Sequence, residues 1–338
     1  MMKDELFKRL LTGGYTKSTD YIGAFSTSIG TSIGCVRKVN EDRVIFSKLS
    51  ISKFRKNIYV LILCDGMGGM KSGDLAASLA TSSILEYLLE YYDDENIHQS
   101  IIDAVNHSNK AVYSSLGGEG GCTLSLVLFS NLSDCHFVNI GDSRIYNGFK
   151  STGLKQLTED DDLKHLLAKE KLSINEDVLL NRNGLTKFIG MDIDLDLSIE
   201  TIEAKGTVIL LSDGVHRIGQ KLMAVIYNYS KNAFDFVNRI ITLSEWMGGV
   251  DNASCVIVDF ESITPDIFEM SEPYTTAAIW DSQGVYQFSR TKFWNGREED
   301  KKSKSSSFSR KKNKIVDDES LTKDETINFD LISEPRKK

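Results

Sequence analysis

An α+β architecture, with layers of strands packed against paired helices, is what this 338-residue sequence predicts. Two observations carry it. Strand-like apolar runs outnumber helical segments. The helical segments also come in pairs, 75–92 with 97–116 and 220–228 with 232–246, instead of alternating with single strands. A doubly wound parallel sheet needs that alternation, so segregated layers are favoured. No internal repeat is present.

The elements follow in order. Residues 3–11 form an amphipathic helical pattern, and a strand-rich stretch follows. Arg43-Val44-Ile45-Phe46 alternates, and 58–64 is a fuller apolar run, so both read as strands. Leu75 to Tyr92 lacks Gly and Pro and carries apolar residues at helical spacing; Ile97 to Leu116 is a second helix. Strand runs follow at 122–130 and 134–140. Leu157 to Ile189 differs, being acidic first, helical at 162–171 and then loop-like, and reads as an insertion. Strands are expected at 195–203 and 207–211, helices at 220–228 and 232–246, and a last strand at 253–260.

Beyond about residue 264 the character changes. Ala277-Ala278-Ile279-Trp280 and Val285-Tyr286-Gln287-Phe288 flank Asp281-Ser282-Gln283-Gly284, which suggests a hairpin within 274–294. From Gly296 the chain is rich in Lys, Ser and acids and poor in apolar residues, the composition of a disordered tail. Its stretch 301–314 is basic without an acid. Such a stretch suits an acidic partner, although a solvated tail is the simpler reading. The expected organisation is a main domain over 1–264, an extension over 265–295 and a tail over 296–338.

A formal net charge of −8 argues against nucleic acid as the main partner. No apolar stretch reaches the ~20 residues of a membrane span, and the N-terminus has no signal-peptide apolar region. Five cysteines, Cys35, Cys64, Cys122, Cys135 and Cys255, form no CxxC pair. Free thiols in a reducing cytoplasm fit better than zinc or a disulfide framework.

Aspartates at strand ends carry the chemistry. Asp65 follows the run 59–64, Asp142 follows 135–141, Asp213 follows 208–212, and Asp251 precedes 253–258. Converging carboxylates repel one another unless cations neutralise them, and oxygen donors favour Mg²⁺ or Mn²⁺. Arg37 offers a rigid fork of donors for phosphate oxygens. Glu41 and Asp42 are adjacent, so on a strand they face opposite ways and serve different neighbours. Asp65-Gly66-Met67-Gly68-Gly69-Met70 lets the backbone approach a ligand and offers a carbonyl beside a carboxylate. It is not a P-loop, because Met70 stands where GxxxxGK[ST] needs Gly.

Singly these are common turn peptides. Together and in order, Arg37-Lys38-Val39-Asn40-Glu41-Asp42, Asp65-Gly66-Met67-Gly68-Gly69, Gly121-Cys122-Thr123, Gly141-Asp142-Ser143-Arg144, Ser212-Asp213-Gly214 and Asp251-Asn252 resemble the PP2C-type, metal-dependent protein phosphatases of the PPM family in their bacterial form. The resemblance covers about residues 22–260. It implies an α-β-β-α sandwich of two antiparallel sheets flanked by helices. It implies two Mn²⁺ or Mg²⁺ ions, with Asp65 bridging, Glu41 and the Gly66 carbonyl completing one site, and Asp213 and Asp251 the other. Asp142, with Asp213, would hold a third, weaker ion. Asp42 would hydrogen-bond a metal-bound water, and Arg37 would bind the substrate phosphate. Two ions roughly 3.5–4 Å apart activate a bridging hydroxide for direct attack on phosphorus. The implied substrate is a phosphoserine or phosphothreonine protein, opposing a Ser/Thr kinase.

Two departures stand out. Met67 occupies a position where eukaryotic relatives often carry His as a candidate acid and bacterial relatives commonly carry Met, which leaves the proton donor for the leaving group unassigned, with a metal-bound water as the candidate. The insertion 157–190 resembles the family's flap, but it begins Thr158-Glu159-Asp160-Asp161-Asp162 where the pattern has His-Ser after an Asp. Those acids would repel acidic phosphopeptides, attract basic ones, or merely be solvated. The altered flap and long tail also suit an alternative, a catalytically weak phosphoprotein-binding scaffold of the same fold.

Overall fold

The computed structural model describes residues 2–12, 17–67, 72–169, 184–270 and 273–289. The glycines at 68 and 69, most of the flap from 170 to 183, and the 296–338 tail lie outside the described residues. Two antiparallel sheets face each other. One runs, edge to edge, β1 (Lys17–Ile22), β2 (Thr27–Ser32), β11 (Ala253–Asp259), β10 (Thr207–Leu211), β7 (Arg144–Phe149) and β8 (Gly153–Gln156). The other runs β13 (Gly284–Ser289), β12 (Thr276–Asp281), β3 (Arg43–Ile51), β4 (Lys56–Cys64), β5 (Leu124–Phe129), β6 (Asp134–Ile140) and β9 (Glu200–Glu203).

Period-2 sorting of side chains builds the layers. Along β4, Tyr59, Leu61 and Leu63 point into the core between the sheets. Ile58, Val60, Ile62 and Cys64 point the other way, into a second core under α1 (Met2–Thr12), α2 (Gly73–Tyr91) and α3 (Ile97–Leu116). The fuller run at 58–64 thus marks a strand covered on both faces. A third core joins the outer face of the first sheet to α6 (Gln220–Tyr229) and α7 (Ala233–Trp246). Asn232 caps α7 by accepting the Asp235 N–H at 2.9 Å. Two shorter helices, α4 (Leu163–Lys169) and α5 (Asp213–His216), sit in the flap and after β10.

The strand expected over 195–203 is confined to Glu200–Glu203. Helix α3 takes over the preceding backbone: Asn109 Nδ2 donates to the Met191 and Ile193 carbonyls at 3.0 and 2.8 Å, and Asn106 accepts the Leu195 N–H at 3.0 Å. With those groups satisfied by side chains, no ladder forms there.

Within the extension, residues 276–289 continue the second sheet. Its hairpin β12–β13 pairs with β3, Thr276 opposite Ser50 and Trp280 opposite Phe46. Helix α1 closes over it through a two-pronged ion pair, Arg9 Nε and Nη2 to Asp281 at 2.7 and 2.8 Å. Gln283 donates to the Arg9 carbonyl at 2.8 Å, and Tyr286 to Glu5 at 2.7 Å. Asp281 is 3% exposed. Asp281→Ala removes the carboxylate from the Arg9 fork, which keeps its bond to the Gly284 carbonyl at 3.2 Å, and we expect a loss of about 2–3 kcal/mol. Urea unfolding reads it as a lower midpoint at unchanged slope.

Candidate active site

Four strand ends build one cleft. Where β4 stops, the backbone at Asp65 is zipped to the segment before β5. Asp65 N–H donates to Thr123 Oγ1 at 3.0 Å, Thr123 N–H to the Asp65 carbonyl at 2.8 Å, and Met67 N–H to the Gly121 carbonyl at 3.0 Å. Thr123 Oγ1 also lies 2.8 Å from Ser143 Oγ, which joins this corner to the end of β6. Gly141 turns that end with φ +97°, and a Cβ there would lie 2.7 Å from Thr123 Cγ2. Asp213 opens α5, and a Cβ on Gly214 would come within 2.0 Å of the Asn252 carbonyl. Asn252 fastens the loop before β3, donating to the Ile33 and Val39 carbonyls at 3.0 Å each and accepting the Glu41 N–H at 2.8 Å.

The cleft encloses about 570 Å³. Arg37, Asp65, Gly66, Asp142, Asp213 and Asp251 all line it, with Met67 and Thr123 beside them. Glu41 does not line it. It sits at the margin, accepting the Gly73 N–H and lying in the fields of Arg37, Asp74 and Asp251. Asp42 lies behind the cleft, fully enclosed, and neither of its carboxylate oxygens reaches a hydrogen-bond partner at good geometry. The Ser254 and Ser212 hydroxyls are its nearest source of relief.

Electrostatics mark these carboxylates as strained. Burial, then the charges of Asp42, Asp213, Asp142 and Asp251, hold Asp65 well above the ordinary carboxylate range. Burial and Asp213 push Asp142 up to about 6. Burial also raises Asp42, to about 7, and Asp213, where Arg217 opposes it. Two guanidiniums answer part of this charge. Arg37 Nε and Nη2 bind Asp251 at 2.8 and 2.9 Å, and Arg217 Nη2 binds Asp213 with Nη1 3.8 Å from Asp251.

The sequence reading gave no role to Arg217 or Arg144. Arg217 stands four residues after Asp213 on one helical face, a spacing that pairs opposite charges. Arg144 binds Asp160 of the flap at 2.8 and 2.7 Å, which only the fold brings together. On the same side Asp160, Asp162 and His165 approach within 4.8 Å of one another. His216 is buried and held neutral, its pKa lowered to about 4 by desolvation. Its Nε2 lies 2.9 Å from the Asp142 carbonyl, so that nitrogen carries the proton and donates it.

The donor set fits hard divalent cations. Carboxylates from separate strand ends share one cleft, raise one another's pKa, and outnumber the arginines that face them. Among the described lining residues the only sulfur is the Met67 thioether and the only imidazole is that of His216, and carboxylates outnumber both.

Comparison with known proteins agrees. Over 249 residues the chain is 28% identical to a putative protein phosphatase 2C-type of Streptococcus pyogenes, covering 70% of this chain and 97% of that one. It is 27% identical to the serine/threonine phosphatase stp of Listeria monocytogenes, covering 68% and 93%. Among solved structures, a bacterial serine phosphatase superposes with a TM-score of 0.62 at 20% identity, covering 70% and 98%. The catalytic domain of the serine/threonine phosphatase PstP, solved with two manganese ions, gives 0.56 at 25% identity, covering 72% and 99%. A family model described as protein phosphatase 2C matches residues 30–253, which take in every strand end that supplies the cleft, and the chain belongs to that family.

Proposed function

We propose that this chain is a metal-dependent protein phosphatase that hydrolyses phosphoserine and phosphothreonine on proteins. One observation carries the reading: four aspartates from four strand ends share a single cleft with Arg37. Asp65, Glu41 and the Gly66 carbonyl would hold one Mn²⁺ or Mg²⁺, and Asp213 and Asp251, with Asp65, a second. Asp142 and Asp213 would hold a third, weaker ion. Bound there, the ions supply a water activated for direct attack on phosphorus and neutralise charge on the phosphoryl oxygens.

The chain's own residues bind and orient. Arg37 turns its fork from Asp251 to two phosphoryl oxygens, a geometry that guanidinium and phosphate share. Asp42, enclosed behind the cleft, orients the attacking water. His216 is neutral with its proton committed to the Asp142 carbonyl, and Met67 has none to give. The leaving alkoxide therefore takes its proton from water. The substrate is a phosphoprotein made by an opposing Ser/Thr kinase. No described helix is long and apolar enough to cross a membrane. We place the protein in the reducing cytoplasm on the strength of its five free cysteines.

The test is hydrolysis of p-nitrophenyl phosphate and phosphothreonine peptides with Mn²⁺, abolished by EDTA. Well-folded protein that binds Mn²⁺ without turnover would instead be a scaffold, and the enzymatic reading would fall.

A further inference from the structure

A groove of about 550 Å³ lies beside the catalytic cleft, separated from it by one extended segment of the flap. Residues along that segment alternate. Asp160 and Asp162 line the cleft, while Glu159 and Asp161 line the groove, as successive side chains of an extended chain must. The wall is fixed in place. Asp161 N–H donates to the Gly141 carbonyl at 2.9 Å, Asp161 Oδ2 accepts the Gly141 N–H at 3.1 Å, and the Asp161 carbonyl accepts the Thr186 N–H at 2.7 Å.

The floor of the groove is β6 from Phe137 to Ile140. On its outer side β6 pairs with β9 only through Asp134–Phe137. Among the described residues, strand pairing on that edge therefore stops where the groove begins. Asp196, Leu197, Ser198 and Glu200 form the far wall. Among the described residues four acids, Glu159, Asp161, Asp196 and Glu200, line the space with one base, Lys187. On the other side of the wall the cleft carries Arg37, Arg144, Arg217 and Lys164 among its aspartates, cations that can meet a phosphate.

We propose that this groove receives the substrate polypeptide beside the phosphorylated residue, as an added strand along β6, and selects Lys or Arg side chains there. The proposal rests on the phosphatase reading of the cleft and names the substrate class that reading leaves open. An exposed strand edge supplies main-chain hydrogen bonds, and its flanking side chains supply selectivity. Charge complementarity chooses the occupant. A chain carrying a phosphate and, a few residues away, a base matches a cleft with arginines and an acidic groove one strand apart. An extended chain advances ~3.3 Å per residue, so a base two to four residues from the phosphorylated one lies roughly 7–13 Å along it. Exposed pairs are individually weak, so two or three of them amount to roughly a tenfold preference.

The experiment compares two phosphothreonine peptides, one with Lys two to four residues on either side of the phosphorylated residue and one with Glu there. Initial rates are measured with Mn²⁺, with p-nitrophenyl phosphate as a substrate that has no flanks. We expect kcat/KM about tenfold higher for the Lys peptide, through KM, and a gap that shrinks toward unity at about 0.5 M salt. The Asp196→Asn, Glu200→Gln double variant should narrow the gap to about twofold and leave the p-nitrophenyl phosphate rate unchanged. Equal kcat/KM for the two peptides, or an undiminished gap in the double variant, overturns the groove. Fluorescence anisotropy reads the same preference as binding, without turnover. Retained preference in a protein that hydrolyses nothing would uphold the groove and sink the phosphatase reading.

Discussion

Asp65→Asn should abolish phosphatase activity, by about a thousandfold or more, and at the same time raise the melting temperature of the metal-free protein. The two effects have one cause. Asp65 is held well above the ordinary carboxylate range, desolvated and in the fields of Asp42, Asp213, Asp142 and Asp251. On the proposed function that negative charge would be a shared cation ligand, and a loss of about 4 kcal/mol of transition-state stabilisation corresponds to a thousandfold in rate. Stability does not need it. An amide of the same shape keeps the Asp65 backbone bonds to Thr123 and removes a buried charge from a repelling set. Rates with Mn²⁺ and calorimetry in EDTA check both halves. A variant that is inactive and also less stable than the parent in EDTA would mean that Asp65 holds the fold, and the assignment would fail.

The order of the aspartates at strand ends was legible because each followed or preceded an apolar run, and runs of that kind became β4, β6, β10 and β11. The two helix pairs were legible for the same reason, a sustained periodicity. What escaped was long-range. Nothing in the local sequence says that Arg144 reaches Asp160, or that Asn109 spends its side chain on the backbone at 191–193 and denies it a ladder. The acidic flap start offered three readings. Only the placement of alternate residues in two different spaces separates its members. The break expected at 264 was misleading in another way. Composition changes there, but pairing continues, and β12 extends the sheet from β3.

Asp142 gives the clearest pH signature. Its pKa is raised to about 6 by burial first and Asp213 second. The sign follows from linkage. Well below about pH 4 the group is protonated in folded and unfolded chains alike, and it costs nothing. As the pH rises the unfolded chain ionises first, so the folded state loses ground until Asp142 itself ionises near 6. Each pKa unit is worth about 1.4 kcal/mol, so the full cost above neutrality is about 2–3 kcal/mol. Salt-bridged surface acids such as Asp235, whose pKa is lowered by Arg239, pull the other way, so the parent's own pH curve mixes both signs. Comparing Asp142→Asn with the parent isolates the one group. In EDTA the variant and parent should unfold at similar urea midpoints at about pH 3, below the unfolded pKa, and the variant should be the more stable by pH 8. Saturating Mn²⁺ should close or reverse that gap, because a ligand bound to the folded state alone stabilises the chain that still carries the carboxylate. A gap equal at both pH values would show that the Asp142 carboxyl is not strained in the folded protein, and with it would go the case for a cation at that position.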